Sequence, residues 1–180
     1  MKKIIIVLIS VLLTNTLMIG CTLKKSPQEP PKLTITIGDK ELQYITAKNK
    51  WNGSIYDRQD TFQAILKEGS GIEIPFIELD KTAVIKFKNN PPDKFTIADI
   101  LIDKEGNKMY STSINNIPFE LKDGKYSFKI NKNMDTSLDS NWFLNKTYSR
   151  GFRMTASWGE NECEYAFIIK THWYYFIYYH

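Results

Sequence analysis

Leu33-Thr34-Ile35-Thr36-Ile37 alternates apolar and polar residues, and this period of two recurs through most of the chain. A strand sends successive side chains to opposite faces, so the pattern fits a sheet with one buried face and not a helix. Gly38-Asp39 then turns the chain toward Leu42-Gln43-Tyr44-Ile45 as a short hairpin. Thr82 to Phe87 puts Ala83, Ile85 and Phe87 on one side, and Phe95 to Ile102 is a further strand. Asp103-Lys104-Glu105-Gly106-Asn107 and Asp123-Gly124 are turns, the second leading into Tyr126 to Ile130. The clearest hairpin joins Phe152–Trp158 to Tyr165–Ile169 through Gly159-Glu160-Asn161. Only Asp60 to Lys67 has helical spacing, with Phe62, Ile65 and Leu66 on one face, Asp60 as cap and Gly69-Ser70-Gly71 as stop. Residues 131–148 are polar around Trp142-Phe143-Leu144 and read as an inserted loop or short edge element. Short strands separated by turn signals predict an all-β domain, a sandwich or a small barrel.

The first residues have a different character. Lys2 and Lys3 precede an apolar run from Ile4 to Ile19, interrupted by Ser10, Thr14, Asn15 and Thr16. A membrane-spanning helix needs about 20 predominantly apolar residues, so the run fits an export signal better than a permanent span. Leu17-Met18-Ile19-Gly20-Cys21 resembles the bacterial lipobox, with Met18 where leucine is commonest. The resemblance implies a palmitate-type diacylglycerol on the Cys21 thiol and cleavage after Gly20. The competing reading is an ordinary secretory peptide with a chance cysteine. The following residues, Thr22 to Pro31, are rich in Lys, Ser, Gln and Pro and read as a tether, with Lys24 and Lys25 near the headgroups. The expected organisation is a signal peptide over 1–20, a lipidated Cys and flexible tether over 21–31, a sandwich over 32–170 and an aromatic tail over 171–180. The expected place is the extracytoplasmic face of the cell membrane, reached through the N-terminal lipid.

Gly124-Lys125-Tyr126-Ser127-Phe128 has the spacing of the tyrosine corner of immunoglobulin-like sandwiches. The stretch from Gly151 to Trp158, followed by Tyr165-Ala166-Phe167, is similar to the last hairpin of small Ig-like lipoproteins of Gram-positive bacteria. The resemblance covers roughly the final third of the domain and lacks the paired cysteines of antibody domains. It implies an immunoglobulin-like antiparallel β-sandwich with one short helix, and no activity.

Without the leader, the chain keeps 22 basic and 20 acidic residues, a net charge of +2. That balance argues against nucleic acid as a partner, which calls for a concentrated basic face. If Cys21 is lipidated, Cys163 has no partner and reads as a buried small hydrophobe. Packing alone must then hold the fold, and an aromatic content of 13% supplies large buried surfaces.

Catalytic patterns are sparse. His172 and His180 are the only histidines, and with Cys163 they form a remote zinc candidate, so neither a metal nor a cofactor is expected. Asp57 and Asp60 flank Arg58, while Glu160, Glu162 and Glu164 flank the last turn; solvated turn and strand-end residues explain both groups. Asp103 to Asn107 lacks the later bidentate Glu of a calcium loop and reads as a hairpin turn.

Two aromatic concentrations remain. Trp51, near Tyr44 and Tyr56, is either core or a binding surface. Trp173, Tyr174 and Tyr175 open a tail that reads as an extra strand, an interfacial anchor or a docking segment. The leading expectation is a non-enzymatic binding or interaction module with an envelope protein partner. The alternatives are a carboxylate-based glycan or peptide hydrolase, and a small-ligand carrier with a pocket lined by residues such as Trp51, Tyr126 or Trp158.

Overall fold

The alternation becomes two facing antiparallel sheets in the computed structural model, which describes residues 26–56, 60–110, 115–139 and 146–172. Cys21, Trp173, Tyr174 and Tyr175 lie outside the described residues. In chain order the strands are β1 (Leu33–Ile37), β2 (Lys40–Glu41), β3 (Ile45–Trp51), β4 (Ser54–Ile55), β5 (Thr82–Phe87), β6 (Lys94–Ile102), β7 (Asn115–Asn116), β8 (Glu120–Lys122), β9 (Lys125–Lys129), β10 (Thr147–Trp158) and β11 (Asn161–His172). Helix α1 spans Thr61–Leu66, and Met134–Leu138 forms a 3-10 turn.

The first sheet runs β2-β1-β5-β9-β8 and the second β4-β3-β11-β10-β6-β7. Within them, β1-β5-β9-β8 and β6-β10-β11 reproduce the ABED and CFG orders of an immunoglobulin-like sandwich. The chain adds an insertion between its A and B strands. There β3 extends the second sheet beyond β11, and α1 follows.

The two sheets bury their faces differently. β1, β5 and β9 alternate buried and accessible residues, as expected of a sheet solvated on one side. β6 and β11 instead run almost continuously buried. Their inner face supplies Ile97, Cys163, Tyr165, Phe167 and Ile169 to the main core. Their outer face supplies Ala98, Ile100, Ile102, Ala166 and Ile168 to a second cluster under Phe62 and Ile65 of α1. Two glycines admit the helix. A Cβ on Gly151 would lie 2.5 Å from Phe62 Cζ, and one on Gly106 would lie 2.8 Å from the backbone nitrogen of Gln63.

The segment before β1 is pinned. Ser26 Oγ donates to the Trp158 carbonyl (3.2 Å), Trp51 Nε1 to the Gln28 carbonyl (2.7 Å) and the Tyr165 hydroxyl to the Pro31 carbonyl (2.5 Å). Tyr44 takes the Leu33 N–H and donates back to the Leu33 carbonyl, both at 3.1 Å. Residues 26–31, expected within a flexible tether, therefore lie against the sandwich. Their prolines keep the strip extended, and aromatic donors satisfy its carbonyls.

Other expectations shift as well. Tyr126 stands on β9, the E position, whereas a tyrosine corner belongs to F; its ring packs on Phe87, Phe95 and Phe119. The hydroxyl-to-upstream-backbone contact is made by Tyr44 instead. Asp60 holds the N-cap position of α1, yet its side chain makes no capping bond. Thr171 and His172 extend β11 rather than starting a separate tail.

Gly151→Ala is expected to destabilise the chain by about 1–3 kcal/mol, the usual cost of overpacking a filled core. The same change in a Phe62→Leu background should cost less, and urea denaturation of the four proteins measures the coupling.

Candidate functional site

The inner face of β10 changes character along its length. From Phe152 through Met154 and Ala156 to Trp158 it is apolar core. One same-face step earlier stands Arg150, 2% exposed, and beyond it Tyr148. Asp99 of β6 meets the arginine: Arg150 Nε donates to Asp99 Oδ1 (3.1 Å) and Nη2 donates to Oδ2. This is the bidentate fork that suits a desolvated carboxylate. The guanidinium carbon also lies 5.4 Å from the Phe152 ring centroid. Arg150 Nη1 is buried and has no hydrogen-bond partner among the described residues.

The polar residues after β9 close this end of the sandwich. Asn133 Oδ1 accepts the Asp135 N–H (2.9 Å), and Thr136 Oγ1 donates to the Asn133 carbonyl (2.6 Å), which winds the 3-10 turn. Asn133 Nδ2 reaches the Asp99 carbonyl at 3.4 Å and ties the turn to the ion pair. Behind it, Asp139 accepts from the Tyr148 hydroxyl (3.2 Å) and pairs with Lys146. Burial first, and the Asp139 charge second, push the Tyr148 phenol up to about 12.

A cavity of about 180 Å³ opens beside this pair, lined by Asp99, Asn116, Pro118, Lys129, Lys132 and Arg150 among others. It lies at the open edge where the chain crosses from the second sheet at β7 to the first at β8. Its cationic side chains outnumber its single carboxylate. A larger hollow of about 490 Å³ sits around Lys40, Glu41 and Gln43, but those polar groups are exposed and none forms a buried floor. The Arg150 cavity is therefore the better candidate. Its chemistry is that of an oxyanion receptor: a desolvated guanidinium with a spare donor, flanked by amides and ammonium groups.

The residues expected from sequence do not gather here. Trp51 is 2% exposed, with its ring edge-on to Trp158 at 5.8 Å, so it is core and not a binding surface. Tyr126 and Trp158 are also core members. Glu160 pairs with Lys50 (2.6 Å), and Glu162 accepts from Asn49 (3.1 Å). Arg153 Nε lies 3.1 Å from Glu164 Oε2, at an angle too bent for a hydrogen bond. Cys163 is fully buried near one end of β11, while His172 sits at the other, 2.9 Å from Thr147 Oγ1. Among the described residues, no three His, Cys, Asp or Glu side chains are grouped to hold a metal.

Sequence reasoning missed Arg150 and Asp99. Fifty-one positions separate them, and Asp99 stands between apolar Ala98 and Ile100 while Arg150 follows a polar stretch ending in Ser149. The available signal was a charge of each sign placed in phase with core residues.

Comparison of the chain with protein-family models, with curated proteins and with solved structures finds no match in any of the three.

Asp99→Asn is expected to cost about 3–5 kcal/mol, because it leaves the Arg150 charge buried without its counter-charge. Thermal or urea unfolding measures it, and a loss under 1 kcal/mol would mean that the pair is solvated.

Alkaline pH should act through Cys163 and Tyr148. Burial pushes the Cys163 thiol up to about 12. Unfolded thiols and phenols ionise near about 8.5 and about 10, so the unfolded chain gives up these protons first. Stability from these groups is whole below about pH 8.5 and falls as pH climbs toward 12. A urea midpoint that is flat to pH 8 and declines above pH 9 is expected, and a rise over that interval would contradict this account.

Proposed function

We propose that the chain is a lipid-anchored, extracytoplasmic, non-enzymatic binding module whose Arg150 cavity receives an acidic group of an envelope protein. The observation that carries this reading is the orphaned donor. A buried N–H left without an acceptor costs about 1–3 kcal/mol, and more when it is charged. Here the orphan belongs to a cavity-lining arginine that Asp99 already orients. A carboxylate entering from a partner would accept from Nη1 and meet Lys129 at the mouth.

The lipobox-like Leu17 to Cys21 supports the anchor, because Cys163 is buried in the core and leaves Cys21 as the other cysteine of the chain. Binding is favoured over hydrolysis by the state of three buried carboxylates. Asp99, Asp139 and Glu164 are each held by a cation, whereas a glycosidase needs two carboxylates facing one cleft. The small-ligand reading draws on the same cavity, whose 180 Å³ would hold a short carboxylic acid.

Crosslinking in living cells with mass spectrometry tests the proposal on three proteins: wild type, Cys21→Ala and Asn116→Asp. The last puts a negative charge at the exposed mouth of the cavity without touching the ion pair. A specific protein captured by wild type and lost from both variants is the expected result. Capture that is unchanged by Asn116→Asp would remove the cavity from the proposal, and no capture at all would favour the small-ligand reading. Metabolic labelling with an alkyne analogue of palmitate, present in wild type and absent from Cys21→Ala, checks the anchor separately.

A further inference from the structure

The solvated face of the first sheet carries a concentration of charge that the Arg150 cavity does not use. Lys86 of β5 stands directly opposite Lys125 of β9, and Lys125 stands directly opposite Lys122 of β8. Cross-strand partners share a face and lie about 4.5–5.5 Å apart at Cα, so the three ammonium groups form one transverse row. One same-face step away, Lys88 donates its N–H to the Lys32 carbonyl (2.9 Å), and both side chains are exposed on that face. None of these five lysines is in an ion pair among the described residues. Glu41 and Glu120 lie one row further up, opposite Thr36 and Ser127.

Like charges placed directly opposite one another destabilise a sheet, so folding does not explain the row. Its position does offer a reason. The lysines crowd the end of the sandwich where the chain enters through residues 26–32, the same end as the Asp123-Gly124 and Gly159-Glu160 turns. Ser26 is bonded to Trp158 and lies five positions after Cys21 in the chain. Five residues span at most about 18 Å, so a lipid on Cys21 would hold this end within one to two Debye lengths of the headgroups.

We infer that this row, Lys86, Lys122 and Lys125 with Lys32 and Lys88, is a docking surface for an anionic phospholipid bilayer. The lipid supplies attachment, and the lysine face fixes which way the domain lies on the membrane. The orientation rests on the proposed Cys21 anchor, whereas the binding of the face to anionic lipid does not. Juxtamembrane lysines gain affinity from the negative surface potential, and salt screens that gain.

The test uses the chain from Thr22 to His180, which retains every described core contact and hydrogen bond. It is mixed with phosphatidylcholine vesicles, either pure or containing phosphatidylglycerol, and sedimented at low and high salt. Binding only to the phosphatidylglycerol vesicles, with at least a tenfold loss of affinity at high salt, is expected. The triple change Lys86→Gln, Lys122→Gln, Lys125→Gln should lower affinity at least tenfold while leaving the melting temperature equal or higher, since it relieves repulsion. Lys67→Gln, Lys104→Gln, Lys108→Gln makes the same net charge change beside α1 and should leave affinity within about twofold. Equal losses from both triples would reduce the effect to net charge and overturn the inference. So would binding to soluble polyphosphate without binding to vesicles, which would make the face a receptor for anionic polymer. If palmitate labelling fails while vesicle binding persists, the anchor falls and the face stands.

Discussion

Phe87 is the contact on which the sandwich closes. It sits on β5 in the first sheet and meets Tyr126 beside it at 5.9 Å. Across the interior it meets Phe95, Trp158 and Tyr165 of the second sheet at 5.6, 5.9 and 5.7 Å. All four contacts are edge-to-face, the arrangement that the quadrupoles of the rings favour. In antibody domains a disulfide and a tryptophan share this task. Here Cys163 is buried without a disulfide, and interlocked rings do it instead.

That choice governs how the chain distributes its polar groups. The aromatic end needs few hydrogen bonds, and those it makes go outward to carbonyls of residues 28, 31 and 90. The other end holds most of the buried charges, namely Arg150, Asp99, Asp135 and Asp139, while Glu164 is buried further along β11. The interior is thus graded along the strands, from ring packing to an ion pair with a spare donor. A recognition site fits the second region because a close-packed aromatic core has no room to admit a ligand.

Much of the fold was legible because its strands follow local rules. The alternation of β1, β5 and β9 and the turn at Asp123-Gly124 are written in adjacent residues. The sequence pattern places the start of β10 at Phe152, because Ser149, Arg150 and the polar stretch before them resemble a loop. The structure starts it at Thr147, since Asp99 makes a buried arginine tolerable within a strand. β11 likewise runs past the pattern at both ends, since Glu162 and Glu164 resemble turn residues in sequence although they pair along β3. The insertion between β1 and β5 gave one correct helix, but no local pattern says which sheet a short helix covers. Gly151 marks the spot only once Phe62 is seen above it. The candidate site was the least legible part, because a long-range pair of opposite charges has no spacing to recognise.

The strip from Ser26 to Leu33 has a mechanical consequence. Its five side-chain hydrogen bonds, at residues 26, 28, 31 and 33, lie in sequence along the chain. A pull arriving from the N-terminal side meets them one after another, so they peel singly, and the ladder between β1 and β5 is loaded only after the outer ones have parted. Release of residues 26–32 would lengthen the leash by roughly 24 Å at full extension. The domain would therefore answer small displacements by paying out chain in steps, with its aromatic interior still shut.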